Sequence, residues 1–320
     1  MDPSIALGNL TSVPVLAFAL GIVAARLRTD VRIPEPVYQV IATYLLLGIG
    51  IKGGVALGAA DPATIAVPLA VTLVLGAAIP VVAYALLGRM TRLGVVDRGA
   101  VAAHYGSTSL VTFTALLVFL ERAAIPYEPY ATTLLAAMEV PGLVAGIALG
   151  ARGLGRTVAW RETLREILLG KTVLLLAGGI AIGALAGHAG AARVEPFFVD
   201  LLPGVLALFL LNLGWTAGSR LHAVRAAGVG LVVFAIAMPL AAGALGVVAG
   251  TAIGLSAGGA AVLGILAASA SYIAAPAAVG IALPEADLAI PVASSLGVTF
   301  PFNLVVGIPL IVAVAEALAS

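Results

Sequence analysis

Tyr105-Gly106-Ser107-Thr108-Ser109 and Ser269-Ala270-Ser271-Tyr272 are short polar runs, each set within a long apolar stretch of the chain. Ser107 and Ser269 are 162 residues apart, so the runs occupy corresponding places in the first and second halves. Two apolar segments interrupted at matching positions are typical of membrane proteins that are built from internal repeats. The two runs therefore predict that the halves of the chain are related.

The overall composition predicts an integral membrane protein. Of the 320 residues, 62% are hydrophobic and 10% are charged, which leaves too little polar surface to cover a water-soluble fold. The absence of cysteine excludes disulfides, thiolate metal sites and cysteine-based catalysis. A net charge of +1 gives no electrostatic basis for binding nucleic acid. Residues 1–4 lack the basic segment of a cleavable signal, so the first apolar stretch is predicted to be retained as a membrane helix.

Ten apolar segments are long enough to cross a bilayer, since about 20 helical residues span a hydrocarbon core of about 30 Å. Basic residues concentrate after the first, third, fifth and seventh segments, where 13 of the 16 lysines and arginines lie. Because cytoplasmic loops carry such residues, we predict a multi-pass protein of the inner (plasma) membrane with both termini outside the cytoplasm. The predicted segments are 5–25, 36–58, 63–88, 99–121, 130–150, 168–188, 197–218, 226–249, 258–282 and 289–318.

Five segments precede the longest basic loop and five follow it, so the two halves have opposite orientations in the membrane. Three short matches recur in order at offsets of 160 to 164 residues. We therefore predict an all-α membrane fold of ten helices in two inverted five-helix repeats, 1–151 and 168–320. A short basic cytoplasmic linker, 152–167, joins them. The matches pair 49–54 with 213–218, 107–111 with 269–273, and 141–147 with 301–308.

Both polar runs are expected to break their helices, the fourth and the ninth, near the middle of the membrane. At about 1.5 Å per residue, Ser107 lies roughly 14 Å from Arg98 at the start of the fourth helix. Gly106 permits backbone conformations that a helix interior disfavours, and Pro276 denies the carbonyl of Tyr272 its helical partner. A broken helix presents N–H groups and a positive dipole end to a small anion, and its freed oxygens can hold a hard cation such as sodium. Serine hydroxyls that only bond to their own backbone are the alternative.

The candidate site residues divide into two sets. Glu139, in the fifth predicted helix, would cost several kcal/mol if unpaired at depth, so it is expected to be protonated, paired or part of an ion route. No catalytic residue and no cofactor are expected, apart from sodium as a possible coupling ion. The candidate substrate-binding residues are Gly106, Ser107, Thr108, Ser109, Ser269, Ala270 and Ser271, and the candidate ion-coupling residues are Tyr272, Thr112, Glu139, Thr299 and Asn303.

Several functions fit a hydroxyl-lined site in the membrane. A secondary transporter for a small anion is favoured, driven by sodium, by protons or by neither, and a passive anion channel would use the same residues. An intramembrane serine hydrolase, with Ser107 as nucleophile and His104 as base, is disfavoured. Adjacent turns of one helix do not supply the oriented base and third group that such catalysis needs.

Six short motifs occur in order along nearly the whole chain: Ile33-Pro34-Glu35, Gly50-Ile51-Lys52-Gly53-Gly54, Gly106-Ser107-Thr108, Ile125-Pro126-Tyr127-Glu128, Met138-Glu139-Val140-Pro141 and the segment 269–276. Together they resemble those of the sodium-dependent bicarbonate transporters of the cyanobacterial type. The resemblance implies a homotrimer of ten-helix protomers, each with a core and a gate domain that draw helices from both repeats. It also implies import of bicarbonate by alternating access, driven by a sodium gradient, and regulation by a PII-like cytoplasmic protein.

The chain departs from these transporters at four places. Tyr272 stands where the best-known members carry an aspartate, so a sodium ligand is missing there, and Ala275-Pro276-Ala277 replaces Gly-Pro-Pro. Glu139 replaces another aspartate but keeps a carboxylate. The 16 residues 152–167 replace a long cytoplasmic insertion, which argues against carrying over the PII-like partner. Within them, 157–167 are predicted to form an interfacial amphipathic helix.

Overall fold

The computed structural model describes residues 11–155, 157–219 and 228–319, and all of its regular elements there are helical. Three short π-helical turns occur in these ranges, at Pro196–Asp200, Ser295–Thr299 and Asn303–Gly307. The helices are α1 Val13–Arg26, α2 Glu35–Ala59, α3 Pro62–Met90, α4 Val95–Gly106, α5 Leu110–Arg122, α6 Ala131–Ala151, α7 Trp160–Leu169, α8 Lys171–Ala191, α9 Leu202–Ser219, α10 Val229–Ala252, α11 Ala257–Ala268, α12 Ala275–Ala282 and α13 Ala289–Ala319.

Eight helical stretches in these residues are long and apolar enough to cross a membrane: α2, α3, α4 with α5, α6, α8, α9 with its preceding π turn, α10 and α13. Two shorter apolar helices, α1 and α11, correspond to the first and ninth predicted segments. A multi-pass helical membrane protein is thus confirmed, and the count of ten spans stays a prediction. The start of the first segment, with Arg156, Arg220 and Arg225, lies outside the described residues.

Both predicted helix breaks are present. The chain leaves helical geometry at Ser107 (φ −95°, ψ 148°) and resumes it at Leu110. It leaves again at Ser269 (φ −85°, ψ 165°) and resumes at Ala275. The residues 107–109 are called the first break, and 269–274 the second break.

The physical reasons given for the breaks were wrong in two details. Among the described glycines, positive φ angles occur at Gly187, Gly228 and Gly254, so Gly106 does not use its backbone freedom. It is instead the last residue of α4, where a side chain would collide with Gly142 of α6 and Pro80 of α3. Pro276 lies in the first turn of α12, where a missing N–H costs nothing. It therefore starts a helix rather than ending one.

The helices pack in two groups. In the small helix group, α2 packs along α8 and α9 packs along α1. Gly50 lies against Gly179, and Gly214 against Phe18, so the backbones approach closely, as is usual between membrane helices. In the large helix group, α4 packs on α3 and α6, and α11 packs on α10 and α13. Both breaks belong to the large helix group and face the small one.

One ion pair links the two groups among the described residues. Lys52 of α2 bonds to Glu121 near the end of α5, and both side chains are partly exposed. Tyr127, in the loop before α6, donates to the same carboxylate at 3.0 Å. Burial, with the neighbouring Glu121 charge, raises the pKa of the Tyr127 phenol, which therefore stays protonated as a donor.

The two broken helices are each anchored at the end that lies farthest from the break, α4 at its first turn and α11 at its N-cap. Asp97, in the first turn of α4, accepts from the backbone N–H of Asp287 at 2.9 Å, in the loop before α13. Ser256, the N-cap of α11, donates to Glu128 through its N–H at 2.6 Å and its hydroxyl at 3.1 Å. Glu128 belongs to the loop before α6. Each half of the chain therefore holds the broken helix of the other half.

The linker forms a helix, as predicted, but the helix begins and ends later in the chain than the predicted range 157–167. Helix α7 runs from Trp160 to Leu169, and α8 begins at Lys171, three residues later than the sixth predicted segment. Ile167 is buried, whereas Trp160 and Leu164 are partly exposed. An interfacial amphipathic helix would place these three residues on one apolar face, but here they are divided between the protein interior and its surface.

Candidate functional site

A small cavity, here called the break cavity, lies between the two breaks and the small helix group. Its volume is about 30 Å³, which exceeds the roughly 10–15 Å³ that a cavity needs to hold one water molecule. Polar residues of both breaks form one wall, and the small helix group forms the other with largely apolar residues. The lining comprises Thr108, Ser109, Leu110 and 271–274 on one side, and Ala42, Leu46, Thr172 and Phe209 on the other.

The first break is braced by Glu139 of α6. Ser107 donates its hydroxyl to Glu139 Oε1 at 2.8 Å. Thr108 donates to Oε2 twice, through its hydroxyl at 2.8 Å and its N–H at 3.1 Å. Glu139 is buried, and neither ion pair found in the described residues involves it. The carboxyl group is therefore stabilised by hydrogen bonds rather than by a basic side chain.

These bonds use three of the four acceptor positions that a carboxylate offers. Glu139 also lines a larger cavity next to the break cavity. One acceptor position of the carboxylate is thus left unused by these bonds, on a residue that lines a cavity. Glu139 is hydrogen-bonded to hydroxyl and amide donors, and its part in an ion route stays a prediction.

The second break is joined directly to the first. Ser269 accepts from the N–H of Ser109 at 3.0 Å and donates its hydroxyl to the carbonyl of Leu266 at 3.0 Å. The N–H of Ser271 donates to the carbonyl of His104, near the end of α4, at 2.8 Å. The two breaks therefore hold each other at the centre of the molecule.

Two hydroxyl groups keep their hydrogens available for a ligand. Ser109 accepts from the N–H of Thr112 at 3.3 Å and from its hydroxyl at 3.0 Å, so its own hydrogen is not used by these bonds. Ser271 accepts from the N–H of Ala275 at 3.3 Å in the same way. Both serines line the break cavity. Ser107, Thr108 and Ser269, by contrast, use their hydroxyl hydrogens within the protein.

The backbone of the second break adds further donors. The N–H groups of Tyr272, Ile273 and Ala274 make no hydrogen bond within the described part of the chain. They precede α12, whose N-terminal end carries positive partial charge. Together with the Ser271 hydroxyl, they give the break cavity the character of an anion site.

A larger cavity, here called the vestibule, leads to the break cavity from the side of α7. Its volume is about 210 Å³, and it shares five lining residues with the break cavity. The exposed residues Gln39 and Lys171 lie at its mouth, where Lys171 Nζ donates to the backbone and side-chain oxygens of Gln39 at 2.9 Å each. A small solute can thus approach the breaks from this face. The shared residues are Ala42, Leu46, Thr172, Ile273 and Ala274.

The other candidate ion-coupling residues are buried, and none of Thr112, Thr299 and Asn303 is among the residues lining the two cavities. Thr299 donates to the carbonyl of Ala235 at 2.6 Å and bonds to the Tyr105 hydroxyl at 2.6 Å. Asn303 donates to the carbonyl of Ala268, the last residue of α11, at 2.8 Å. These contacts hold α13 against α4, α10 and α11.

The remaining candidates differ in what they offer. Tyr272 lines the break cavity, and its ring packs edge-on against Phe300 with centroids 5.5 Å apart. Ala270 is buried and offers no polar side chain. No group of three acidic or histidine side chains suited to a metal ion occurs in the described residues. A cation here would bind to hydroxyl and carbonyl oxygens together with Glu139.

Sequence reasoning missed the wall that the small helix group supplies. Thr172, Phe209 and Gln39 lie in α8, α9 and α2, and none belongs to a polar run in mid-membrane. Lys171 is one of the 13 basic residues predicted from the sequence to lie in cytoplasmic loops. The one sequence feature that points to this wall is the hydroxyl of Thr172 directly after this lysine, at the start of a helix.

The hydrolase alternative has no geometric support. Ser107 donates to Glu139, and His104 Nδ1 lies 2.8 Å from the carbonyl of Ala100 in its own helix. No hydrogen bond joins Ser107 to His104 in the described structure. The nucleophile and base that the alternative requires are therefore not paired.

Comparison with known proteins adds an independent observation. A family model described as the Na⁺-dependent bicarbonate transporter superfamily matches residues 14–316, which is nearly the whole chain. A comparison with curated proteins found no match.

Proposed function

The chain belongs to the Na⁺-dependent bicarbonate transporter superfamily, and from this premise we propose that it imports bicarbonate by sodium-coupled alternating access. The superfamily consists of transporters, so the protein is a transporter and not an enzyme. The observation that carries the proposal is the break cavity, whose lining combines Ser109 and Ser271 with 272–274, the residues whose N–H groups make no hydrogen bond in the described structure.

Bicarbonate suits this set of groups. It carries a negative charge that the unused N–H groups of the second break attract, and also one O–H that needs an acceptor. Serine and threonine hydroxyls both donate and accept, so Ser109, Ser271 and Thr172 can serve both parts of the ion. The remaining candidates, Gly106, Ser107, Thr108, Ser269 and Ala270, are proposed to shape the site rather than to touch the substrate.

Glu139 is the proposed ion-coupling residue. It offers one free acceptor position beside the vestibule, and its charge attracts a cation toward the breaks. Tyr272 adjoins the break cavity and can add a neutral oxygen. Thr112, Thr299 and Asn303 are proposed to act indirectly, since their hydrogen bonds position Ser109 and α13.

The packing supports two inverted repeats, 1–151 and 168–320, and ten membrane spans. Two helix contacts recur with the halves exchanged: α2 packs on α8 as α9 packs on α1, and α4 packs on α6 as α11 packs on α13. The reciprocal anchors follow the same exchange.

We propose that the small helix group is the gate and the large helix group the core. With the basic loops cytoplasmic and the termini outside, the vestibule opens to the cytoplasm. The homotrimer stays an expectation from the resemblance.

Uptake of isotopic bicarbonate into proteoliposomes, with and without an inward sodium gradient, tests the proposal. Wild-type protein should show saturable uptake that the gradient accelerates, and empty liposomes should not. Uptake that never saturates would indicate a channel. Saturable uptake that ignores sodium but follows a proton gradient would replace the coupling ion, and no uptake at all would remove bicarbonate as substrate.

A further inference from the structure

Phe209 of α9 faces the second break across the break cavity. It is 1% exposed and is the one aromatic side chain that the small helix group contributes to the lining. Its neighbours on that wall are the aliphatic Ala42 and Leu46 and the hydroxyl-bearing Thr172. The wall opposite the second break is therefore mostly apolar and includes one flat ring.

The ring is fixed in place by Tyr38 of α2. The two rings are stacked, with centroids 4.8 Å apart and 15° between their planes. Tyr38 in turn lines the vestibule, so the stacked pair stands where the two cavities meet. A buried ring within a close-packed interior cannot move aside without disturbing its neighbours.

We propose that Phe209 sets the largest anion that the site accepts, an inference that rests on the proposed transport function. The donors of the second break bind the charged end of the anion, so any further atoms point toward the small helix group. Bicarbonate places one hydroxyl there, within reach of the hydroxyl of Thr172. A carboxylate with a longer carbon chain meets the Phe209 ring.

The size of the expected effect follows from the behaviour of apolar pockets. One methylene more or less changes discrimination by about 10- to 200-fold when the pocket cannot adjust. Removing the ring should therefore admit carboxylates that the wild-type protein excludes, while anions no larger than bicarbonate should bind as before. A residue that only stabilised the fold would change all anions alike.

Competition against isotopic bicarbonate uptake tests this inference, with formate, acetate, propionate and butyrate as competitors. In Phe209→Ala, propionate and butyrate should compete at concentrations about tenfold or more lower than in wild type, with formate within about twofold. Phe209→Leu should show a smaller shift in the same direction and serves if the alanine variant fails to fold. Phe234→Leu is the matched control, since Phe234 is fully buried, contacts a tyrosine ring at 4.9 Å and is not among the residues lining either cavity.

An unchanged order of competitors in folded Phe209 variants would overturn the inference, and so would an equal shift in Phe234→Leu. If wild-type protein does not transport bicarbonate, the same anions are compared by thermal stabilisation of the purified protein. A size limit that moves with Phe209 in that assay supports the inference without the proposed function. Normal bicarbonate transport with an unmoved limit removes the inference alone.

Discussion

The two breaks share a backbone design and differ in how they use their polar groups. At the first break, Glu139 occupies the hydroxyls of Ser107 and Thr108 and one N–H. At the second, Ser271 and three N–H groups are left for a ligand, and Tyr272 stands where the resemblance expects an acid. A buried carboxylate thus stabilises the first break, whereas the second break, which has none, keeps its donors for the proposed anion.

The largest effect is expected from removing the brace. Glu139→Ala leaves the Ser107 hydroxyl and the Thr108 N–H without an acceptor, and it leaves the Thr108 hydroxyl with only a 3.4 Å bond to the carbonyl of Leu135. Each unpaired buried donor costs about 1–3 kcal/mol. We expect the free energy of unfolding to fall by about 3 kcal/mol or more, with loss of uptake, as measured by thermal unfolding of the purified protein. A variant as stable as wild type would show that the first break is not held by Glu139.

Glu139→Gln separates the brace from the charge. Glutamine keeps one acceptor oxygen and nearly the same shape but carries no charge, so folding should survive better than in the alanine variant. Because the proposed cation site loses its charge, the acceleration of uptake by sodium should largely disappear. An unchanged sodium profile would limit Glu139 to its bracing role.

An intermediate effect is expected at the second break. Ser271→Ala removes a donor to a charged ligand, which is worth about 1.5–3 kcal/mol. The KM for bicarbonate should therefore rise about tenfold to a hundredfold. Ser295→Ala is the matched control, since this buried serine donates its hydroxyl to the carbonyl of Pro291 at 2.7 Å and is not among the residues lining either cavity. It should lower stability modestly and leave the KM nearly unchanged. Equal KM values in both variants would contradict the assignment of Ser271 to the anion site.

The smallest effect is expected for Tyr272→Phe. The ring keeps its contact with Phe300, and the only group lost is a buried hydroxyl that has no hydrogen-bond partner in the described structure. A neutral hydrogen bond contributes about 1 kcal/mol, so the KM should change about fivefold or less. The sodium dependence of uptake, measured in parallel, should persist. Its loss would move the ion-coupling role from the first break to the second.

The sequence predicted the position of both breaks because hydroxyl runs in mid-membrane are a local signal. It did not predict why Gly106 is a glycine, since the contact with Gly142 of α6 is a tertiary one. The same holds for Phe209 and Thr172, which reach the break cavity only through the packing of the small helix group. Local sequence patterns thus predict the polar wall of the break cavity, whereas the apolar wall opposite it can be identified only from the folded structure.

The role of Glu139 lay between these cases. An acid in an apolar helix indicates that another group compensates its burial. The sequence alone does not decide whether Glu139 is protonated, paired or part of an ion route. Its partners, Ser107 and Thr108, are 32 and 31 residues away in the chain. Their spacing carries no helical periodicity, so the pairing follows from how α6 packs on α4.

The reciprocal anchors have a consequence for biosynthesis. Glu128 is translated 128 residues before its partner Ser256, and Asp97 precedes Asp287 by 190. Ser109 likewise precedes Ser269 by 160 residues. The first half therefore enters the bilayer with its anchoring groups and its interrupted helix unpaired. Its native arrangement must wait for the second half to emerge from the ribosome, and the nascent chain depends on lipid, water or the insertion machinery to satisfy those groups until then.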